Sequence, residues 1–457
     1  MNNIDSQPLR DASESTAKVY ALLAVGLLAV LLILIAVSPH YPLYDERYYM
    51  PASHLLAETG SFRILMQTKT DIAAGPLYPY LHVIASPLTG LTPPAIRYVN
   101  FICLLTSIAA IAWTLRLMGH EKPWYRAAML LAVPMIWPTS GLALTELPAL
   151  ALACLAVALA AEGTVTNNAL RRLLAFALSG LFAGLAVTGR QTYLPALAGY
   201  LLLALGERRL TLPVLLALAA ASLAIAPMLF AWGGLTPPWQ SQLRQGLMPE
   251  YGVLSYIYLA TAIALIAPGF FRPIFVSPRH RWLLLGAVGV AVLACTVSGF
   301  RIAVASRVVD KLPLGIQSIA QLGATVIMVA LAAAFVIAGL ANVVNLRRER
   351  GFLLFALLTL ALAGTAIAVS HQFSSRYVLA AFPFALLGVQ RWWQLDRWAV
   401  ARLGLGSALG MFSLTAYYWN APPPDPATSA GSMTVNQREL GTVRAMSTIR
   451  AVAASGF

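Results

Sequence analysis

The chain has 457 residues, of which 59% are hydrophobic and 11% are charged, whereas average soluble domains have roughly 45–50% and 25%. This composition excludes a soluble globular protein and predicts a polytopic membrane protein. The net charge of +14 would indicate nucleic acid as a partner of a soluble protein. Here most Lys and Arg residues form short clusters between apolar runs, as the positive-inside rule requires, so no nucleic acid is expected.

The first 18 residues are polar, and the apolar run after them has no small-residue cleavage site. We therefore expect residues 1–19 to be a cytoplasmic N-terminus and the first span to remain uncleaved. Cys103, Cys154 and Cys295 lie inside apolar runs without disulfide or metal-finger spacing, so no chemistry is assigned to them.

The apolar runs predict an all-α fold of about 13 transmembrane helices, each about 20 residues long. The stretch at 315–343 is long enough to be tilted or broken. The predicted helices lie near residues 20–37, 97–118, 127–143, 145–161, 173–188, 193–206, 212–231, 251–270, 282–298, 315–343, 352–369, 378–390 and 398–418.

With the N-terminus in the cytoplasm, every short basic cluster falls on the cytoplasmic side. The segment 76–92 is nearly long enough to span, but counting it as a span would place the later basic clusters outside. We therefore expect an interfacial segment on the outer face. The clusters are Lys122 and Arg126, Arg171 and Arg172, Arg208 and Arg209, Arg272 with Arg279 and Arg281, Arg347 with Arg348 and Arg350, and Arg391 and Arg397.

This topology gives one transmembrane domain, residues 20–418, with its largest outer loop at 38–96. An amphipathic helix is predicted in that loop from Asp45 to Thr59, ending at Gly60. The extracytoplasmic tail, 419–457, has a Pro-rich linker, "APPPDP", followed by "RELGTVRAMSTIRAV" with apolar residues at near-helical spacing.

Five motifs in chain order resemble membrane glycosyltransferases of the GT-C superfamily, especially the aminoarabinose and protein-mannose transferases. They are "YDERYYMPASHLLAETGSF", "GPLYPYL", "RYVNFICLL", "TELPALALA" and "SRYVLAAFPFALL". The resemblance implies a GT-C-like helical bundle with juxtamembrane helices in the first outer loop. It also implies a polyprenyl-phosphate sugar donor, a catalytic acid in "YDERYYM", and substrate contact by Tyr48.

Transfer to a hydroxyl needs a general base, which we assign to Asp45 in an inverting displacement. Glu46 would position the acceptor, tune Asp45 or bind a divalent cation such as Mg, Mn or Zn, since some members of the superfamily use a metal. His371 is the other candidate metal ligand. The alternative is that Asp45 caps the helix and Glu46 adds a favourable charge to its first turn.

Two arginines are candidates for binding the donor phosphate, because a guanidinium pairs well with phosphate oxygens. The resemblance places Arg376, in "SHQFSSRY", at this position; otherwise it anchors the span at the interface with Tyr377. His371 is a further substrate-binding candidate or an interfacial side chain. The segment "TGRQTYLP", which contains Arg190, resembles the "RQTN" of glucosyltransferases acting on lipid-linked oligosaccharides. Arg190 then binds substrate; in the alternative, its side chain snorkels to the membrane interface.

The resembling families carry a Lys or His before a Pro pair, where this chain has Ala74, Gly75 and Pro76. Lys69 or Arg63 could supply the missing cation; otherwise both are solvated loop charges.

Three further features have structural as well as functional readings. Glu146 supports the start of a helix after Thr145, or faces the cavity. For the charged loop 299–314, the functional prediction is binding of a lipid phosphate, and the structural one is a solvated connection between helices. Trp232 and Trp239 stack on sugars or anchor the interface.

The leading hypothesis is a glycosyltransferase of the bacterial inner membrane, with its site on the extracytoplasmic side. It would move a sugar from a polyprenyl-phosphate donor to a hydroxyl of a lipid-linked, glycan or protein acceptor. The membrane lipids around its helices are further expected partners. The alternatives are a polytopic lipid or glycan transporter or flippase, and an O-antigen-type ligase. A transporter would place charges near midplane in corresponding halves, whereas these acids lie in one outer loop.

Overall fold

The chain is helical throughout the part that its computed structural model describes, with no strand there. The structure describes residues 7–69, 73–243, 246–297, 309, 313–346, 349–368 and 373–420. The α-helices are α1 Gln7–Ala36, α2 Glu46–Thr59, α3 Phe62–Gln67, α4 Leu77–Thr89, α5 Arg97–Leu117, α6 Pro123–Ala128, α7 Ile136–Gly141, α8 Glu146–Val165, α9 Ala169–Gly189, α10 Ala198–Gly206, α11 Thr211–Trp232, α12 Pro249–Ile266, α13 Arg272–Val276, α14 Pro278–Val297, α15 Leu314–Asn345, α16 Arg350–Gly364, α17 Phe382–Gly388 and α18 Arg397–Asn420.

Within the described residues, eight helices are long and apolar enough to cross a membrane. A ninth candidate is a pair bent by 116°, Glu250–Ile266 with Pro268–Val276. The chain is thus a polytopic helical membrane protein. The eight spans are Glu14–Ala36, Arg97–Leu117, Glu146–Val165, Ala169–Gly189, Arg208–Trp232, Leu314–Asn345, Gly351–Ala368 and Arg397–Asn420.

The difference from about 13 predicted spans comes mainly from three short runs that contain proline. Residues 127–143, 193–206 and 378–390 form pairs or triplets of short α and 3-10 helices in place of continuous helices. Proline inside a helix removes a hydrogen bond and clashes with the preceding turn, which breaks such runs. Conversely, 315–343 belongs to one unbroken helix, α15.

The first outer loop forms helices that lie where the sequence predicts them. α2 begins at Glu46 and ends at Gly60, whose backbone has φ 60° and donates a hydrogen bond to the Leu56 carbonyl. α4 has 13 residues and ends at Gly90. At about 20 Å it is shorter than the hydrocarbon core of a bilayer, as the interfacial prediction requires.

Small residues bring α9 and α11 into close contact. Gly180 and Gly184 of α9 face Ala217 and Ala221 of α11, and a Cβ on Gly180 would lie 1.9 Å from the Ala217 carbonyl oxygen. Small residues four apart let two membrane helices approach closely. This packing fixes the end of α9, where Arg190 follows.

Candidate active site

Asp45 stands at the start of α2, but its side chain does not cap that helix. Its carboxylate instead pairs with Arg376, and the Asp45 side chain keeps 32% of its surface exposed. Tyr44 before it adopts φ 43°, a left-handed conformation that is uncommon outside glycine. The capping alternative is therefore not realised, and Asp45 is an accessible acid held by a cation.

Arg376 contacts two acids. Its Nη2 pairs with Asp45, and its Nε lies 3.3 Å from Oε1 of Glu146. Arg376 stands in the 3-10 helix Ser375–Ala381, and its side chain is 20% exposed. The neighbouring Tyr377 is buried. Arg376 and Tyr377 therefore do not form an exposed anchor at the membrane interface, which was the alternative prediction for them.

Glu146 is the first residue of α8, as its role in helix support predicts, but it also binds two arginines. Its Oε1 lies 2.9 Å from Nη2 of Arg190 as well as 3.3 Å from Arg376, and its side chain is only 3% exposed. Arg190, at the end of α9, does not snorkel to solvent. Asp45, Glu146, Arg190 and Arg376 thus form one cluster of two acids and two cations, named here the Asp45 cluster.

Both guanidiniums of the Asp45 cluster remain charged despite their burial. Burial alone would lower the pKa of Arg190, but Glu146 raises it above its ordinary value. The same competition raises the pKa of Arg376, with Glu146, Tyr49 and Asp45 opposing burial. Both arginines therefore stay cationic, held by Glu146 and, for Arg376, also by Asp45.

Aromatic rings line the cluster. The Tyr377 ring centroid lies 5.6 Å from Cζ of Arg190 and 5.7 Å from Cζ of Arg376, within cation–π range. Tyr49 is buried beside the same charges, and burial raises the pKa of its phenol, with Glu146 adding to the effect. Tyr49 therefore remains a neutral hydroxyl.

Glu46 belongs to a second, fully buried ion pair, with Arg97 at the start of α5. Arg97 donates to both carboxylate oxygens of Glu46, at 2.9 and 2.7 Å. The same oxygens accept hydrogen bonds from the backbone N–H of Leu43 at 2.8 Å and of Ala143 at 2.6 Å. The remaining Arg97 donors bind Ser38 Oγ, Pro39 O and Tyr41 O.

This pair joins the start of α2 to α5 and to the segment before α8, and so fixes Asp45 relative to Glu146. With its oxygens satisfied by four N–H groups, Glu46 does not fit a metal ligand. Within the described residues there is no group of three or more His, Cys, Asp or Glu side chains that could hold a metal.

The other predicted residues lie apart from the cluster or outside the described residues. Tyr48 is 52% exposed, whereas the neighbouring Tyr49 is buried. Arg63 and Lys69 are exposed in the loop. Trp232 is buried and donates to the Met66 carbonyl at 3.0 Å, so it is not available to stack on a sugar. His371, most of the loop 299–314 and residues 421–457 lie outside the described residues.

The segment of Ala74, Gly75 and Pro76, which lacks the cation of the resembling families, packs against the end of α9 just before Arg190. A Cβ on Gly75 would lie 2.2 Å from the Thr188 carbonyl oxygen, and Ala74 is 3% exposed. Gln191 donates to Ala73 O at 2.7 Å and to Leu235 O at 2.9 Å, which ties this segment to the residue after Arg190. Arg190 thus brings a cation close to the segment that lacks one.

An apolar cavity of about 200 Å³ lies between α5, α8, α9, α10, α16 and α17. Tyr193, three residues after Arg190, lines one part of it, and Met118 and Gly351 line another. Alanines and glycines supply much of the lining, which leaves space for a flexible apolar chain. The cavity thus reaches the segment that directly follows Arg190 in the chain.

No family model matches the chain, and no curated protein matches it either. Two solved structures are similar to it. One is the crystal structure of ArnT from Cupriavidus metallidurans bound to undecaprenyl phosphate, 18% identical, with TM-score 0.41 over 80% of this chain and 76% of that chain. The other is the same protein in the apo state, 17% identical, with TM-score 0.40 over 81% and 77%.

Proposed function

We propose that the protein is a membrane glycosyltransferase that moves a sugar from a polyprenyl-phosphate donor to a hydroxyl group. The observation that carries this proposal is the Asp45 cluster, in which an accessible carboxylate lies against an arginine shared with a buried acid. The cluster combines the two groups that the reaction requires, a base and cations for a leaving phosphate.

In the proposed reaction, Asp45 accepts the proton of the acceptor hydroxyl while that oxygen attacks the anomeric carbon of the donor. The bond between the anomeric carbon and the phosphate oxygen breaks, and polyprenyl phosphate leaves with the electron pair. Arg376 and Arg190 stabilise the charge that develops on the phosphate. Attack opposite the leaving group inverts the anomeric configuration. No step requires a metal.

The other residues position these groups. Glu46 and Arg97 hold Asp45, and Glu146 holds the two arginines in place and spaces them. The cavity beside Tyr193 accommodates part of the isoprenoid chain.

We place the cluster on the side opposite the cytoplasm, because the basic clusters lie at the other ends of the same helices. Arg97 begins α5 and Arg116 lies near its end, whereas Arg171 lies near the start of α9 and Arg190 follows its end. The positive-inside rule assigns the ends with Arg116 and Arg171 to the cytoplasm.

The test uses the full chain reconstituted in vesicles with polyprenyl-phosphate sugars extracted from a bacterial envelope. We expect the wild-type protein to release polyprenyl phosphate from this pool when the matching envelope glycan fraction is added. Asp45→Asn should abolish the release, and the exposed control Glu58→Gln should retain it. Release that is unaffected by Asp45→Asn, or no release from any donor and acceptor pool, would contradict the proposal.

A further inference from the structure

A second polar cluster lies at the end of the bundle opposite the Asp45 cluster. It consists of Tyr20, Tyr125, Arg126 and Trp393, together with Arg402, whose charge acts on Tyr20, and is named here the Trp393 cluster. Arg402 stands on α18 about 24 Å along the axis from Tyr418, at 1.5 Å per residue. Tyr418 contacts Gly141 and lies under Arg97, near the Asp45 cluster.

The rings of the Trp393 cluster join three parts of the chain. The Tyr20 ring packs edge-on against Trp393 with centroids 6.4 Å apart, and its hydroxyl donates to the Tyr125 carbonyl at 2.9 Å. Cζ of Arg126 lies 4.8 Å from the Trp393 ring centroid. α1, α6 and the segment before α18 therefore meet around one indole.

Arg126 forms no ion pair at contact distance with an acid of the described residues, and the charge of Glu121 acts on it only from farther away. Its guanidinium donates to Glu121 O at 2.8 Å, to Gln390 O at 2.7 Å and to Gln390 Oε1 at 3.2 Å, all uncharged acceptors. Burial lowers the pKa of Arg126 below its ordinary value, with Glu121 opposing the shift. An anion beside Arg126 would offset this desolvation.

Two buried donors of the Trp393 cluster lack acceptors within the part of the chain that the structure describes. These are the indole Nε1 of Trp393, a residue that is 3% exposed, and Nε of Arg402. Arg402 has only a long contact, 3.8 Å from Nη2 to Oδ1 of Asp396, and that oxygen already accepts from Ala399 N at 2.7 Å. A buried donor without an acceptor is destabilising, so an external acceptor would be bound favourably.

The position of the Trp393 cluster relative to the membrane surface indicates which molecule supplies the acceptor. Trp124 and Trp398, which flank the cluster in sequence, are 61% and 60% exposed. Exposed tryptophans at the ends of membrane helices lie at the level of lipid headgroups. The acceptor at that level with negative charge and several oxygens is the phosphate of a lipid.

We propose that the Trp393 cluster binds the headgroup phosphate of an acidic phospholipid, in the leaflet opposite the Asp45 cluster. Arg402 Nε and Trp393 Nε1 donate to phosphate oxygens, and Arg126 supplies a balancing charge. The bound lipid joins α6 to α18 and stabilises the fold. The proposal does not depend on the transfer reaction.

The test measures the melting temperature of the detergent-purified full chain against added phosphatidylglycerol, phosphatidylcholine or inorganic phosphate. We expect only phosphatidylglycerol to raise it strongly. In the double variant Trp393→Phe with Arg402→Gln, the half-saturating lipid concentration should rise about tenfold or more, as loss of hydrogen bonds to a charged acceptor implies. Arg171→Gln, which removes an exposed cation at the same end, is the matched control.

An unchanged half-saturating concentration in the double variant, or an equal change in the control, would overturn the proposal. An equal rise in melting temperature with inorganic phosphate would show that the cluster binds a free anion and not a lipid. An equal rise with phosphatidylcholine would show that the cluster does not recognise the negative charge of the lipid. If the double variant does not fold, Trp393→Phe alone keeps an aromatic side chain while removing the N–H together with the five-membered ring. It should show a smaller shift in the same direction, and no shift would overturn the role of the indole.

Discussion

Oε1 of Glu146 lies 2.9 Å from Nη2 of Arg190 and 3.3 Å from Nε of Arg376, so one buried carboxylate holds two cations from distant parts of the chain. Without that carboxylate, the two guanidiniums would repel each other in a desolvated site. Glu146 therefore determines the spacing of the proposed phosphate-binding pair.

Replacing Glu146 with Gln keeps its shape and removes its charge. Breaking a buried ion pair by removing one partner costs about 3–5 kcal/mol. Because Arg376 retains Asp45, we expect the low end of this range, together with a loss of transfer greater than tenfold. Thermal unfolding and the vesicle assay measure both, with Glu58→Gln as the exposed control. A melting temperature and activity equal to those of the control would show that Glu146 does not hold the arginines.

Arg97 and Glu46 form a pair whose members should be strongly coupled. Arg97→Met leaves the Glu46 charge buried without its partner, so we expect a loss of about 3–5 kcal/mol. The double variant Arg97→Met with Glu46→Leu removes both charges and should be more stable than Arg97→Met. A double-mutant cycle by thermal unfolding gives the coupling energy. If the two substitutions changed the stability additively, Arg97 and Glu46 would not act as a coupled pair that holds Asp45 in place.

The sequence singled out Asp45, Arg190 and Arg376 separately, but it could not show that they meet. Their contact depends on tertiary packing, which brings the end of α9 and the start of the 3-10 helix Ser375–Ala381 beside α2. The runs 127–143, 193–206 and 378–390 form broken helices in place of the continuous ones that the sequence predicts, because hydropathy does not register helix breaks at proline.

Tyr49, which the sequence analysis did not single out, is buried beside the Asp45 cluster, and the spacing of residues along α2 accounts for this. Glu46, Tyr49, Met50 and Ser53 are buried, and their spacing is that of one helical face. A helix oriented by Glu46 therefore turns Tyr49 inward and Tyr48 outward. The pairing of Glu46 with Arg97 had no comparable local signal, because it joins residues from separate helices.

Close packing of α9 on α11 predicts that Gly180 tolerates no side chain. A Cβ there would lie 1.9 Å from a backbone oxygen, whereas a Cβ on Gly286 of α14 meets no atom within 4 Å. We expect Gly180→Ala to lower the melting temperature by several degrees, since overpacking typically costs about 1–3 kcal/mol. The matched control Gly286→Ala should leave it unchanged or higher. Equal effects of the two substitutions would contradict the close approach of the helices.

His82 on α4 predicts a loss of stability at acidic pH. It is buried against Tyr78, with ring centroids 3.9 Å apart, and burial lowers its pKa from 6.5 to about 3. A folded-state pKa below the unfolded one gives stability that is present above pH 6.5 and is lost as the pH falls toward 3. At pH 5 the loss from this group is about 2 kcal/mol.

His82→Phe should remove this part of the acid sensitivity, and His54→Phe, at an exposed position of α2, should not. Melting temperatures at pH 5 and pH 7.5 measure the difference. The same pH dependence in wild type and His82→Phe would show that His82 is protonated without penalty in the folded protein.

The central claim is that Arg376 is shared between Asp45 and the phosphate of a polyprenyl lipid. The most direct measurement is the dissociation constant for polyprenyl phosphate, determined in nanodiscs for the wild type, Asp45→Asn and Arg376→Gln, with turnover measured on the same preparations. Removing the Asp45 charge releases Arg376 to the ligand, so Asp45→Asn should bind the lipid phosphate at least as tightly as wild type while transferring no sugar. Arg376→Gln should bind it about tenfold more weakly, as loss of a charged hydrogen bond implies. Weaker binding by Asp45→Asn, or wild-type binding by Arg376→Gln, would contradict the claim.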